Sequence, residues 1–263
     1  MSGEQTGTRA PGGLASDPGA APRWRMVLSQ AAFEMRSTLR NGEQLLLTLA
    51  IPVALLVGLS RLPVDLVGHS PAIDAVAPGV LALAVVSTAF TGQAIAVGFE
   101  RRYGVLRLLG STPLGRTGLL VAKTLGVLAV EVVQVVLLAA VAFALGWRPA
   151  GSPAAAVLLL LLGTATFSAL GLLLGGTLRA EGTLAVANGL YLVMLAVGGL
   201  VVPVTRMPDA WAAVVQWLPP GALGEGLRAV LLDGEPLPAQ PVLVLAAWGV
   251  AAGLATARTF RWD

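Results

Sequence analysis

Apolar residues gather along this chain into six runs, at 43–60, 76–97, 118–145, 154–176, 183–204 and 238–257, with polar or arginine-bearing stretches between them. A helix needs roughly 20 apolar residues to cross a bilayer core, so each run is expected to form one membrane span. The first is the shortest and contains Pro52, which a spanning helix tolerates when its neighbours take up the freed backbone groups. Upstream, residues 24–40 repeat apolar positions at Trp24, Leu28, Ala31 or Ala32, Met35 and Leu39, with Arg25, Glu34, Arg36 and Arg40 between them. That spacing predicts an amphipathic helix too charged to span, laid in the plane of the membrane.

Two connections carry patterns of their own. In residues 99–109, Phe99, Tyr103, Leu106 and Leu109 or Gly110 recur at helical spacing, with Glu100, Arg101, Arg102 and Arg107 around them. This predicts a short amphipathic helix, stopped by Thr112 and Pro113 because the residue before a proline is pushed out of the helical region. The connection 205–237 holds Trp211, Trp217, the Pro219–Pro220 pair and the helical run 224–232. Trp211, Val214 or Val215, and Leu218 share one face if a short helix forms there and re-enters the membrane; otherwise the tryptophans anchor a loop at headgroup level.

Composition agrees with a polytopic membrane protein. Hydrophobic residues make up 56% of the 263, charged residues 12% and aromatic residues 5%, and mean hydropathy is +0.81. Soluble domains are nearer a quarter charged, and a spanning barrel is expected to be richer in aromatics. The fold class expected is therefore all-α, with six transmembrane helices. Residues 1–23, rich in Gly, Pro, Ala and Ser, have no apolar core and are expected to form a disordered tail ahead of a membrane domain at 24–263.

Charge sets the orientation. Of the 17 Lys and Arg, thirteen fall on one side if the N-terminus is cytoplasmic (Arg9, Arg23, Arg25, Arg36, Arg40, Arg101, Arg102, Arg107, Arg116, Lys123, Arg179, Arg258 and Arg261), and four on the other (Arg61, Arg148, Arg206 and Arg228). The positive-inside rule then puts both termini and residues 98–116 in the cytoplasm. These cations cluster at span ends and not along one face of a soluble domain, so no nucleic-acid partner is expected. The chain has no Cys and a single His, His69, and its acids show no metal-ligand spacing, which argues against a metal centre or a thiol enzyme.

Polar residues inside the predicted spans are few. Glu131 lies near the middle of the third, with Gln134 one turn on, Gln93 in the second and Asn188 in the fifth. A carboxylate at that depth must find a donor or face water: Glu131 either lines a route for cargo or bonds a neighbour such as Thr164, Thr166, Asn188 or Tyr191, or a group across a dimer seam. Gly171 and Gly175, four apart, form a close-packing motif for helices.

Residues 100–116 resemble the signature of the permease subunit of type-2 ABC exporters, a family that moves drugs, lipids and polysaccharides. The matching residues are Glu100, Arg101, Arg102, Gly104, Leu106, Leu109, Thr112, Pro113, Leu114 and Arg116. The resemblance extends over about residues 24–260 and includes the antibiotic-resistance exporters of actinobacteria, of the daunorubicin and multidrug type. It implies that 24–40 is the family's elbow helix, and that residues 99–112, with Tyr103 and Arg107 among them, form a coupling helix docking on a separate ATPase. It also implies a second permease copy, identical or related, and a place in the bacterial plasma membrane. No GxxxxGK[ST] phosphate-binding pattern occurs, so ATP and Mg are expected on the partner and no cofactor on this chain. The remaining expectations from other classes are a proton-coupled transporter, for which Glu131 stands nearly alone, and a membrane enzyme, for which paired catalytic groups are missing.

Overall fold

The computed structural model describes residues 21–42, 46–61 and 71–260. Residues 1–20 of the tail expected at 1–23, residues 62–70 with His69, the start of the first predicted span and the last three residues lie outside them. Helix α1 spans Arg23–Arg40 and α2 spans Ile51–Leu59, after a π-helical turn at Leu46–Ala50. Then come α3 (Ala72–Arg102), α4 (Val105–Gly110), α5 (Gly115–Ala144), α6 (Pro153–Thr177) and α7 (Ala180–Val197). A 3-10 turn at Val204–Arg206 leads into α8 (Asp209–Val215), α9 (Pro219–Leu231) and α10 (Ala239–Thr259).

Among the described residues, five helices, α3, α5, α6, α7 and α10, are long and apolar enough to cross a membrane, while α2 belongs to a shorter apolar helix, Thr48–Leu59. Five of the six predicted spans thus reach full length. Helix α3 is the axis of the bundle: 78% of its most apolar window is buried, against 17% in α7, so α3 is walled by protein and α7 faces outward. The sequence of α3 suits that place, because small Ala and Gly alternate with Val and Leu and let other helices approach from every side. Helices α2, α5, α6, α7 and α9 all pack on it.

Helix α6 seats against α3 through the glycine pair read from the sequence. A side chain at Gly171 would come within 2.8 Å of the Phe90 carbonyl, and one at Gly175 within 2.6 Å of that of Ala94. Only hydrogen at those positions lets the two backbones meet. On its other side α6 packs along α10.

Three further elements complete the bundle. Helix α1 follows α5 lengthwise, with Val27 near Gly118 and Glu34 near Gly126. Its inward face is Ala31 and Glu34, while Trp24, Leu28 and Phe33 are exposed. The fifth span stops at Val197, short of the end expected at Val204, because Gly198 and Gly199 break it. The connection 205–237 contains two helices, α8 and α9; in α8 Trp211 and Val214 are exposed together while Val215 is buried, so it is Val214 that shares the face of Trp211. The indole of Trp211 donates to the Val197 carbonyl at 2.9 Å and so caps α7.

Six of the arginines collect at one end of the bundle. The end of α3, α4, the start of α5, the junction of α6 with α7 and the end of α10 meet at one end, with Arg101, Arg102, Arg107, Arg116, Arg179 and Arg258. The opposite end holds Arg148, whose amide donates to Asp74, and the α8–α9 pair.

Candidate functional site

The arginine-rich stretch is not one amphipathic helix. Helix α3 runs without interruption past Val97 through Glu100, Arg101 and Arg102, ends at Tyr103, and is followed by a separate six-residue helix, α4. The break is Gly104, with φ of 73°, a left-handed conformation that costs a residue with a Cβ. Gly104 therefore sits where the chain has to turn, while Ser111 and Thr112 close the far end by bonding the carbonyls of Leu108 and Leu109.

This division separates two sets of side chains that the sequence put together. Glu100, Arg101 and Arg102 point to other helices of the same chain. The Glu100 carboxylate lies 2.5 Å from Nζ of Lys123, and Lys123 also donates to Glu34 of α1 at 2.9 Å. Lys123 is 4% exposed, so one ammonium buried between two carboxylates ties α1, α3 and α5 together. The Arg101 guanidinium donates to the carbonyls of Leu178 (2.6 Å) and Gly175 (3.4 Å), satisfying groups that the end of α6 leaves open. Arg102 pairs with Glu181 in the first turn of α7.

The residues after the break face outward. Tyr103 is 72% and Leu108 70% exposed, and Val105, Arg107, Thr112 and Pro113 are also exposed. Leu106 is the opposite: fully buried, it packs with Val97, Leu119 and Leu172, and Leu109 lies against the same group. So α4 is anchored by Leu106 and presents Tyr103, Val105 and Leu108 as an apolar surface.

The intramembrane polar candidates are bonded within the chain. Gln134 accepts from Thr88 at 2.8 Å and donates to the Thr48 carbonyl at 2.6 Å, joining α5 to α3 and to the helix before it. Thr88 belongs to a π-helical stretch of α3, Val86–Gly92. Gln93 accepts from Ser168 at 2.5 Å, and Glu131, 2% exposed, accepts from Thr164 at 2.6 Å. Of the partners expected for Glu131, Thr164 is the one found; Thr166 instead donates to Leu245, and Asn188 is exposed and bonds its own helix at Leu184. These contacts fasten α5 and α6 to the core.

Sequence reasoning missed two sites. Lys123, counted there among the cytoplasmic cations, is inside α5 and buried; the signal was a lone lysine several residues into a 30-residue apolar helix. Arg228, expected in an external loop, is 3% exposed. It donates to the carbonyls of Gly199 (2.8 Å) and Leu200 and pairs with Glu225, which in turn accepts from the Val204 amide. The carbonyls freed where α7 breaks are thereby satisfied by α9.

A bundle of apolar helices around a buried axis, with charged groups paired inside it and a short helix exposed at one end, defines a multi-pass integral membrane protein. The chain belongs to the ABC-2 transporter family: the profile of the family described as ABC-2 family transporter protein matches residues 67–258. The chain is also similar to YvfS of Bacillus subtilis (strain 168), a transport permease by name, at 34% identity over 77 residues, 29% of this chain. The match spans about a third (31%) of that relative's length. Membership marks the chain as a transporter membrane subunit.

Proposed function

We propose that this chain is the permease subunit of an ATP-driven exporter, and that α4 is where a separate ATPase takes hold of it. The observation that carries this reading is the exposed apolar surface Tyr103, Val105 and Leu108 on a helix seated by the buried Leu106. Apolar side chains at the end of a bundle, beyond the spans, have water as their alternative to a partner. Closure of the ATPase would move α4, and Gly104 would pass that movement to the end of α3. From there Glu100 with Lys123 leads to α1 and α5, Arg101 to α6 and Arg102 to α7, so four elements would be displaced together.

In this reading the end bearing α4 is cytoplasmic, in agreement with its cations, and ATP and Mg are held by the partner. Two permease copies, identical or related, would enclose the path in a bacterial plasma membrane, and the cargo would be a small molecule, drug, lipid or glycan precursor, antibiotics included. The proton-coupled alternative gains little from Glu131, which is buried against Thr164. Because Glu100 and Arg101 bind inside the chain, their alanine variants would alter packing as well as coupling. The test therefore uses outward residues. Leu108→Asp and Tyr103→Asp variants are expected to insert normally but to lose co-purification with the ATPase and nucleotide-driven transport in vesicles. Undiminished ATPase capture by both variants would overturn the assignment.

A further inference from the structure

A cleft of about 540 Å³ opens between the first half of α5, the middle of α6 and the last turns of α10. That volume is within the range of small-molecule sites. Its inner wall is apolar, with Leu120 and Leu125 of α5 and the buried Leu172 of α6. Of the three threonines that line the cleft, Thr117 adjoins Arg116, and the other two hydroxyls are engaged within the protein: Thr124 bonds the Leu120 carbonyl and Ser168, and Thr256 bonds the carbonyls of Ala252 and Ala169. The depth of the cleft therefore offers a ligand little but hydrocarbon contact.

Its mouth is different. Arg116, in the first turn of α5, and Arg258, in the last turn of α10, both line it, and among the described residues no acidic side chain lines it. Arg116 stands where the α5 helix dipole is positive, which adds to the preference for an anion. Val121, on the wall, is 45% exposed, so the cleft is open toward the side of the bundle that lipid covers.

We propose that this cleft is a binding site for an anionic phospholipid, with the headgroup phosphate between Arg116 and Arg258 and an acyl chain laid along Leu120, Leu125 and Leu172. Two guanidiniums supply the charge and fork geometry for a phosphate, and the apolar depth supplies a place for the chain. The occupant is a component of the bilayer meeting this end of the bundle, and the site does not depend on what the transporter carries.

The test is native mass spectrometry of the purified full chain, loaded with equal amounts of phosphatidylglycerol and phosphatidylcholine. Wild type is expected to retain phosphatidylglycerol over phosphatidylcholine by about tenfold, the scale of two cations near a phosphate. An R116Q/R258Q variant loses the preference, and R116K/R258K keeps most of it. Gly253 has no heavy atom within 4 Å of where a Cβ would stand, so Gly253→Leu fills the cleft without a clash and lowers retention of both lipids. Arg36→Gln, at an exposed position of α1, leaves retention unchanged. Equal retention of the two lipids by wild type, or a preference that survives in R116Q/R258Q, overturns the proposal. So does wild-type retention by Gly253→Leu, which would reduce the site to surface cations, or a lipid-free dimer, in which a second copy closes the cleft.

Discussion

Lys123 is the residue on which the arginine-rich end depends most. An ammonium buried between Glu34 and Glu100 recovers its lost hydration only through those two carboxylates, and each carboxylate in turn loses much of its compensation without it. Lys123→Met should therefore destabilise the bundle by about 3–5 kcal/mol, the usual result of removing one partner of a buried ion pair. The check is the thermal unfolding midpoint in detergent, and the triple variant E34Q/K123M/E100Q should recover most of the loss. A midpoint unchanged by Lys123→Met would mean that water already reaches the three groups. Arg228 does the corresponding work at the other end, binding carbonyls that the break after Val197 leaves open.

At the scale of elements, the decisive feature is the interruption between α3 and α4. Gly104 sets the direction in which Tyr103, Val105 and Leu108 face, and its φ of 73° is not reproduced cheaply by a β-branched residue. Gly104→Val is expected to cost about 1–2 kcal/mol at the turn and to misdirect α4. Spans and membrane insertion should be retained while ATPase stimulation in the reconstituted complex falls; full stimulation would show that the turn is not a point of transmission. The position of the interruption was not legible in the sequence. Helical periodicity continues across 99–109, because a single glycine in an amphipathic pattern does not by itself announce a left-handed turn. The glycine pair of α6 was legible, since spacing of four puts both on one face whatever that face meets. What it meets, the carbonyls of Ala89, Phe90 and Ala94, needed the tertiary structure.

For the whole molecule, the arrangement of the ends implies a topology that labelling can check directly. The chain contains no cysteine, so single-cysteine variants need no background removal. Arg107→Cys is expected to react with a membrane-impermeant thiol reagent only in inside-out vesicles, and Trp217→Cys only in intact cells. Reaction of both from the same side would contradict the orientation read from the charges.

The sequence by itself determined an all-helical membrane protein, with six spans expected of which five are full-length among the described residues, and the stretch 98–116 where arginines collect. These follow from hydropathy, charge and short-range periodicity, which are local: lipid and backbone act on each segment separately. Only the tertiary structure decided where the polar groups bind. Glu34 meets Lys123 across 89 positions, Arg101 meets Leu178 across 77 and Thr88 meets Gln134 across 46. Such pairs form because a charge or amide in a low-dielectric interior must find a partner, and which partner comes within reach depends on how the helices pack. That is why Glu100 and Arg101, which read as a docking surface in one dimension, turn inward in three, and why the exposed surface falls to Tyr103, Val105 and Leu108.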